Sequence, residues 1–392
     1  MPASISDYAV PRPGRAGHGC TNEAEAMTTS HWSASAVAAI ATALLSAAPP
    51  IAAAARLLPG VDLWDYWPVQ DEDGRVAAIA GGTLYFFLAA SAIGDPEARH
   101  DRATLRLVHR CDGLWRDLGP VFPNGFAPGS RQWSGSAIVD ARQQLTLYFT
   151  AAGRCGETAL GFDQRLFATS APLTGHAPPG PGAWTTPVEV VAAGGAYMTD
   201  MTGGGAIGSI KAFRDPYYFR DPADGAEYLL FAASLAASSS SWNGAVGVAR
   251  RDDDGWCLAP PLIAADGVNN ELERPHVVVH GGCYYCFWST QAKAFADDGP
   301  AGPTGLYGMV ADALAGPWHP LNGSGLVVAN PAAFPHQAYS WLVLHDLTVI
   351  SFVDFAGLAV APADAIDARR HFGGTPAPEL RLRLDGDRAV LA

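Results

Sequence analysis

From Val61 to the C-terminus, apolar residues come in short runs of strand length, broken by Gly, Asp and Asn. The stretch Ala77 to Leu88 holds a turn between two apolar runs, and Leu105 to Arg110 alternates apolar and polar. Ser134 to Val139 and Gln144 to Thr150 flank a turn at Asp140-Ala141-Arg142. Glu227 to Phe231, Val277 to His280, Cys283 to Trp288, Trp341 to Leu344 and Thr348 to Phe352 follow. Such runs, often spaced by roughly 8–15 residues with turn formers between them, predict an all-β architecture. Ahead of them, His31 to Ala48 predicts a short helix that opens with Thr29 or Ser30 as its cap and packs on the main body. Residues 1–30 read as a loose polar tail. No linker long enough to divide the rest is visible, so residues 31–392 read as a single domain.

Composition narrows this picture. Hydrophobic residues make up 49% of the chain and charged residues only 16%, enough for one large core. The 43 glycines and 30 prolines have no collagen-like period and point to many tight turns. The net charge of −13 disfavours nucleic acid and anionic membranes as partners and suits a neutral substrate. Ser35 to Leu58 is Ala-rich, but it follows a polar stretch containing Glu23 and Glu25 and is interrupted by Pro49 and Pro50. It therefore reads neither as a cleaved signal nor as a membrane span. Cys283 and Cys286 have the CxxC spacing, yet they lie in a strand-like run where residues three apart face opposite ways. They read as buried thiols rather than a redox or zinc pair. The histidines show no HxH or HExxH spacing, and neither a metal nor a cofactor is expected.

Three acidic stretches carry the candidate chemistry: Leu63-Trp64-Asp65-Tyr66-Trp67-Pro68, Phe213-Arg214-Asp215-Pro216 and Glu271-Leu272-Glu273-Arg274-Pro275. Each sets a carboxylate beside an aromatic or an arginine. Glycosidic bond cleavage needs two carboxylates, and a sugar site adds aromatic walls and hydroxyl acceptors. Each stretch alone also fits a plainer role: a strand-end tryptophan with an Asp turn, a structural ion pair, a surface pair. Phe213-Arg-Asp-Pro216 is echoed at once by Phe219-Arg-Asp-Pro222. The turn signal Pro222-Ala-Asp-Gly225 makes Asp221 the start of a hairpin and leaves Asp215 as the site candidate. Trp67 reads as core, and His276 as structural.

At these residues the chain resembles glycoside hydrolase family 68, the bacterial levansucrases, inulosucrases and β-fructofuranosidases. Trp133-Ser-Gly-Ser136, Leu306-Tyr-Gly308, Pro320-Leu-Asn-Gly-Ser-Gly-Leu326, Ala329-Asn-Pro331 and Gln337-Ala-Tyr-Ser340 join the three acidic stretches in family order. The resemblance implies a five-bladed β-propeller whose pocket lies at one end of the central channel. It implies sucrose as substrate, with Asp65 as nucleophile, Glu273 as acid/base and Asp215 as transition-state stabiliser. Asp65 and Glu273 are then expected roughly 5–5.5 Å apart, as in retaining enzymes. Glu271 is expected to raise the Glu273 pKa, an effect that Arg274 would oppose if it pointed inward. The resemblance further implies that Trp64, Trp133, Ser134 and Arg214 hold the fructosyl unit, and that Glu271, Gln291 and Tyr339 face the glucosyl or acceptor side.

Two departures from the family pattern shape the expected activity. Many relatives carry His or Arg where Gln291 aligns, and a glutamine lacks that cation. Gram-positive members hold a structural calcium through an aspartate where this chain has Asn270, a weaker ligand, so no calcium is expected. The activity expected is therefore that of the β-fructofuranosidase branch: sucrose cleavage with transfer to water and small saccharide acceptors. The alternatives are a levansucrase or inulosucrase making fructan polymer, and a carbohydrate-binding propeller without catalysis. The resemblance implies an extracellular or periplasmic location, with a cytoplasmic one also open. Oligomeric state is left open.

Overall fold

The computed structural model describes residues 27–42, 46–174, 180–201 and 210–392. Their strands pair into five antiparallel meanders in chain order. The first blade comprises Val61–Asp71, Thr83–Ser91, Thr104–Cys111 and Leu114–Pro120, and the second Arg131–Val139, Gln144–Ala152, Gln164–Thr174 and Val188–Val191. Phe213–Arg220, Glu227–Ser234, Gly244–Asp252 and Gly255–Ala264 form the third. Glu273–His280, Cys283–Thr290, Gly305–Ala311 and Leu326–Ala329 form the fourth. The fifth is built on Ala338–Val343 and Thr348–Phe355, with Phe372–Pro376 and the hairpin Leu380–Asp385/Arg388–Leu391 outside them.

The first strand of each blade lies innermost and packs against the first strand of the next, and the fifth returns to the first. This ring is a propeller. Its blades stack face to face, so inner strands are buried on both sides and read as continuous apolar runs rather than alternating ones. The second strands share this burial: residues 84 to 90 in the first blade and 284 to 290 in the fourth are buried throughout. Trp64, Trp67, Trp288 and Trp341 are each less than 2% exposed. Trp67 stacks on Phe86 inside the core, as expected from the sequence.

The N-terminal segment straps across the blades, and here the sequence expectation needs correcting. Thr28 N donates to Ala315 O, and Ser30–His31 pairs in parallel with Ile263 and Ala264 of the third blade. Residues 28–30 of the expected tail are thus tied to the body, while residues 1–26 of it lie outside the described part. The helix is shorter than expected. It spans Ala34–Ala38, is capped by Ser33 and continues as a 3-10 turn over Ala39–Thr42. Trp32 explains the later start: it is 1% exposed, donates Nε1 to Ser324 O, and packs on Trp288, Phe295 and Tyr307. That anchor holds the preceding chain extended. Farther on, Ala47 bridges to Ala329, and the Gln337 side chain bonds Ile51 N and Pro49 O. Arg56 and Arg369 both pair with the fully buried Asp62, which ties the first blade to the fifth.

Other expectations hold. Asp221 ends the inner strand of the third blade, where its carboxylate accepts from Ala223 N and the Tyr284 hydroxyl. Cys283 and Cys286 are free thiols on one strand; Cys286 is fully buried as expected, whereas Cys283 at the strand's start is only partly buried. Several strands escaped the sequence pattern, among them Leu114–Pro120 and Gly255–Ala264. They lie toward the outer edges of their blades and mix exposed with buried positions.

Candidate active site

Each inner strand is interrupted near its start by a β-bulge. The pairing register shifts between Trp64 and Tyr66, Trp133 and Gly135, Arg214 and Tyr217, Glu273 and His276, and Tyr339 and Leu342. The two residues entering each bulge are therefore equivalent across the ring: Trp64-Asp65, Trp133-Ser134, Arg214-Asp215, Glu273-Arg274 and Tyr339-Ser340. Bulges re-aim side chains beside active sites, and here five of them converge on one end of the channel. Asp215, Arg274 and Ser340 have φ of 62°, 50° and 61°, a left-handed conformation that non-glycine residues adopt at a cost. Their surroundings hold them in it. Arg274 is buried and donates to Ser340 O, Ser340 Oγ and Tyr66 O, each at 2.8 Å. It thus braces three bulges from behind, and its backbone N lies 3.2 Å from Asp215 Oδ2.

The site residues expected from the sequence meet here. Ser134 Oγ donates to Asp65 Oδ2 at 2.5 Å. Thr150 Oγ1 donates to Ser134 O and accepts from Asp215 N, which joins the second and third blades. Arg214 Nη2 lies 2.9 Å from Glu273 Oε1 and 3.4 Å from Glu271 Oε1, and Arg214 Nε lies 3.9 Å from Asp215 Oδ2. The Tyr339 hydroxyl donates to Glu273 Oε2. Trp64 and Trp133 meet at His100, whose ring packs edge-on against Trp64 and whose main-chain carbonyl accepts from Trp133 Nε1. Trp64 is 1% exposed and so forms a wall beneath the site more than an open face. Gln291 is half-buried just after the second strand of the fourth blade and opens the 3-10 turn Ala292–Ala294.

Four carboxylates thus share a small volume with Arg214 and the inward-facing Arg274. Burial, then the charges of Glu273 and Asp65, push the Asp215 carboxyl up to about 7 against the pull of Arg214. Burial and Glu273 do the same for Glu271, also to about 7. Burial disfavours the charge on Arg214, but Glu273, Glu271 and Asp215 outweigh it and hold its pKa above the ordinary value. Burial and Glu273 also push the Tyr339 phenol well up, so it stays a proton donor. His276 is structural, as expected: burial lowers its pKa to about 3, and Nε2 accepts from Val343 N.

Sequence reasoning missed the supporting residues. Gln164 Oε1 accepts from Phe213 N and lies 3.4 Å from Arg214 Nη1. The Arg99 guanidinium sits 4.7 Å from the Phe372 ring and 5.5 Å from Trp64, which fixes that wall. Lys293, exposed on the 3-10 turn two residues after Gln291, acts electrostatically on Glu271, Glu97 and Asp354. None of these residues has a local motif; they enter from other strands and loops.

Comparison with known proteins agrees with this geometry. A family model described as levansucrase/invertase matches residues 21–245 and 239–392. Levansucrase LscA of Pseudomonas savastanoi pv. glycinea is 30% identical over 387 residues, covering 84% of this chain and 86% of that protein. The levansucrase of Erwinia amylovora is 31% identical over 375 residues, with the same coverage. The solved structure of the inulosucrase from Halalkalicoccus jeotgali bound to kestose superposes with a TM-score of 0.84 at 37% identity, over 93% of this chain and 95% of that one. The Microbacterium saccharophilum K-1 β-fructofuranosidase catalytic domain, at 23% identity and a TM-score of 0.77, covers 94% of this chain and 91% of that one; it is similar in fold alone. The chain belongs to glycoside hydrolase family 68, the levansucrase/invertase family, and is a glycosidase of the fructosyl-transferring kind.

Proposed function

We propose that the protein cleaves sucrose with retention and passes the fructosyl unit to saccharide acceptors, building fructan in the manner of a levansucrase or inulosucrase. The observation that carries the chemistry is the convergence of Asp65, Asp215 and Glu273 on the inner-strand bulges of the first, third and fourth blades. Asp65, oriented by the Ser134 hydroxyl, attacks the anomeric carbon of the fructosyl unit. Glu273, held between Arg214 and Tyr339, gives a proton to the departing glucose oxygen. In the second half, Glu273 takes the acceptor's proton as the acceptor displaces Asp65. Asp215 grips the fructosyl hydroxyls and opposes the positive charge that develops on the ring. The elevated Asp215 and Glu271 keep protons within this carboxylate set near neutral pH, where the set titrates as a unit.

Fructan synthesis stands ahead of the hydrolytic activity expected from Gln291. The relatives described above at 30% identity or more are named levansucrase and inulosucrase, whereas the β-fructofuranosidase described there is more distant. Lys293 also weakens the argument from the missing cation, because it returns a positive charge to the same rim. The second reading, hydrolysis with transfer to small sugars, keeps one observation in its favour: the neutral Gln291 itself. Sizing the products formed from sucrose separates the two. Fructan as the main fructosyl product is expected; free fructose and short oligosaccharides as the main products would overturn the polymer reading. Absence of glucose release from folded protein would end the enzymatic one.

A further inference from the structure

Lys211 sits two residues before the inner strand of the third blade, and its ammonium is caged. Nζ donates to Ser241 O at 2.6 Å, to Asn243 Oδ1 at 3.0 Å and to Asn270 Oδ1 at 3.1 Å. Both amides are aimed beforehand. Asn243 Nδ2 donates to Leu235 O and Asn270 Nδ2 to Ile210 O, so each turns its oxygen toward the lysine. The Lys211 carbonyl accepts from Gln164 Nε2, whose other amide atom meets Phe213 N and Arg214. Beyond Asn270, Glu271 N donates to Asn269 Oδ1, and the chain runs directly into Glu273. The ammonium therefore joins the loop between the second and third strands of the third blade to the segment that carries two of the site's four carboxylates, while the Lys211 carbonyl ties the same residue to the second blade.

The structural calcium known in part of the family does not fit here. A divalent cation wants six to eight oxygens with carboxylates among them. Among the described residues, the oxygens around Nζ are two neutral amides and a main-chain carbonyl, and a cation already occupies their focus. We infer that Lys211 is a built-in monovalent cation that takes the place of a bound divalent ion, and that it acts as a positioning residue for Glu271, Glu273 and Arg214.

Thermal unfolding and sucrose turnover of the full chain test this, and only the turnover arm rests on the catalytic reading above. The unfolding midpoint of the unaltered protein is expected to stay put in EDTA and in millimolar calcium chloride. A fall with EDTA or a rise with calcium overturns the proposal, and this arm needs no variant. Lys211→Met should lower the midpoint by about 3 °C or more and kcat for glucose release about tenfold, with KM changed less. A Lys211→Met protein equal to the parent in midpoint and kcat also overturns the proposal.

Discussion

Arg214 Nη2 lies 2.9 Å from Glu273 Oε1, and this contact joins the third and fourth blades inside the carboxylate cluster. Arg214 is 5% exposed, so its charge is compensated by protein groups, chiefly Glu273, Glu271 and Asp215, rather than by water. Removing one partner of a buried pair typically costs about 3–5 kcal/mol, because the other charge is stranded. Arg214→Met should therefore lower kcat/KM for glucose release at least about 100-fold and reduce thermal stability. Arg214→Lys restores the charge but not the planar fork, and should recover only part of the loss. Steady-state kinetics on the two variants, with unfolding midpoints, checks this.

Asp65 is set apart from the other carboxylates by its partner, the Ser134 hydroxyl. Asp65→Asn keeps the shape and a hydrogen bond to Ser134 but removes the nucleophile. Turnover should fall by about 10⁴-fold or more while the unfolding midpoint stays close to that of the parent. Ser134→Ala leaves the nucleophile in place without its orienting donor and should cost about 10–100-fold in kcat. Acid quenching of the parent during turnover should trap a fructosyl adduct on the peptide containing Asp65, visible by mass spectrometry and absent from Asp65→Asn.

Stability should fall as pH rises from the ordinary carboxylate range to about 7. Asp215 and Glu271 have folded-state values near 7, well above those of the unfolded chain. Below that window both states are protonated. Within it the unfolded chain loses protons that the folded one keeps, so each step up in pH favours unfolding. Above about 7 the full penalty of two buried charges is present. Asp215→Asn removes one of them. This variant should lose turnover, yet unfold at a higher temperature than the parent at pH 8 and show a flatter dependence on pH. Unfolding midpoints from pH 5 to pH 8 measure both effects.

Product length should respond to charge at the rim. Gln291 is neutral, and Lys293 two residues on carries the nearby positive charge. Lys293→Ala should shift fructosyl flux from transfer toward water, and Gln291→Arg should lengthen the products. Chromatographic sizing, with glucose release as the measure of total turnover, separates transfer from hydrolysis in each variant.

Much of this site was legible in the chain because its chemistry is written in adjacent residues. Trp64-Asp65, Trp133-Ser134 and Arg214-Asp215 each stand together, and Glu273 lies next to Arg274. Local patterning likewise announced the inner hairpins, since buried β-rich runs and Asp-centred turns are short-range signals. What escaped was the equivalence among these pairs. Trp-Asp, Trp-Ser, Arg-Asp, Glu-Arg and Tyr-Ser share no side-chain chemistry and do not read as a repeat, yet they occupy the same step of five inner strands.

The linear order of residues determined which groups were available: the carboxylates, the tryptophans beside two of the bulges, and a strand-by-strand build. Tertiary structure alone decided where charge resides. It placed Arg274 behind the bulges with its donors committed to Ser340 and Tyr66, and it brought Lys211 to Asn243 and Asn270. It also raised Asp215 and Glu271 while Arg214 bridged Glu271 to Glu273. The physical reason is range. Turn formation and apolar patterning act over a few neighbours, whereas desolvation and charge pairing depend on which distant strands are driven together when the ring closes.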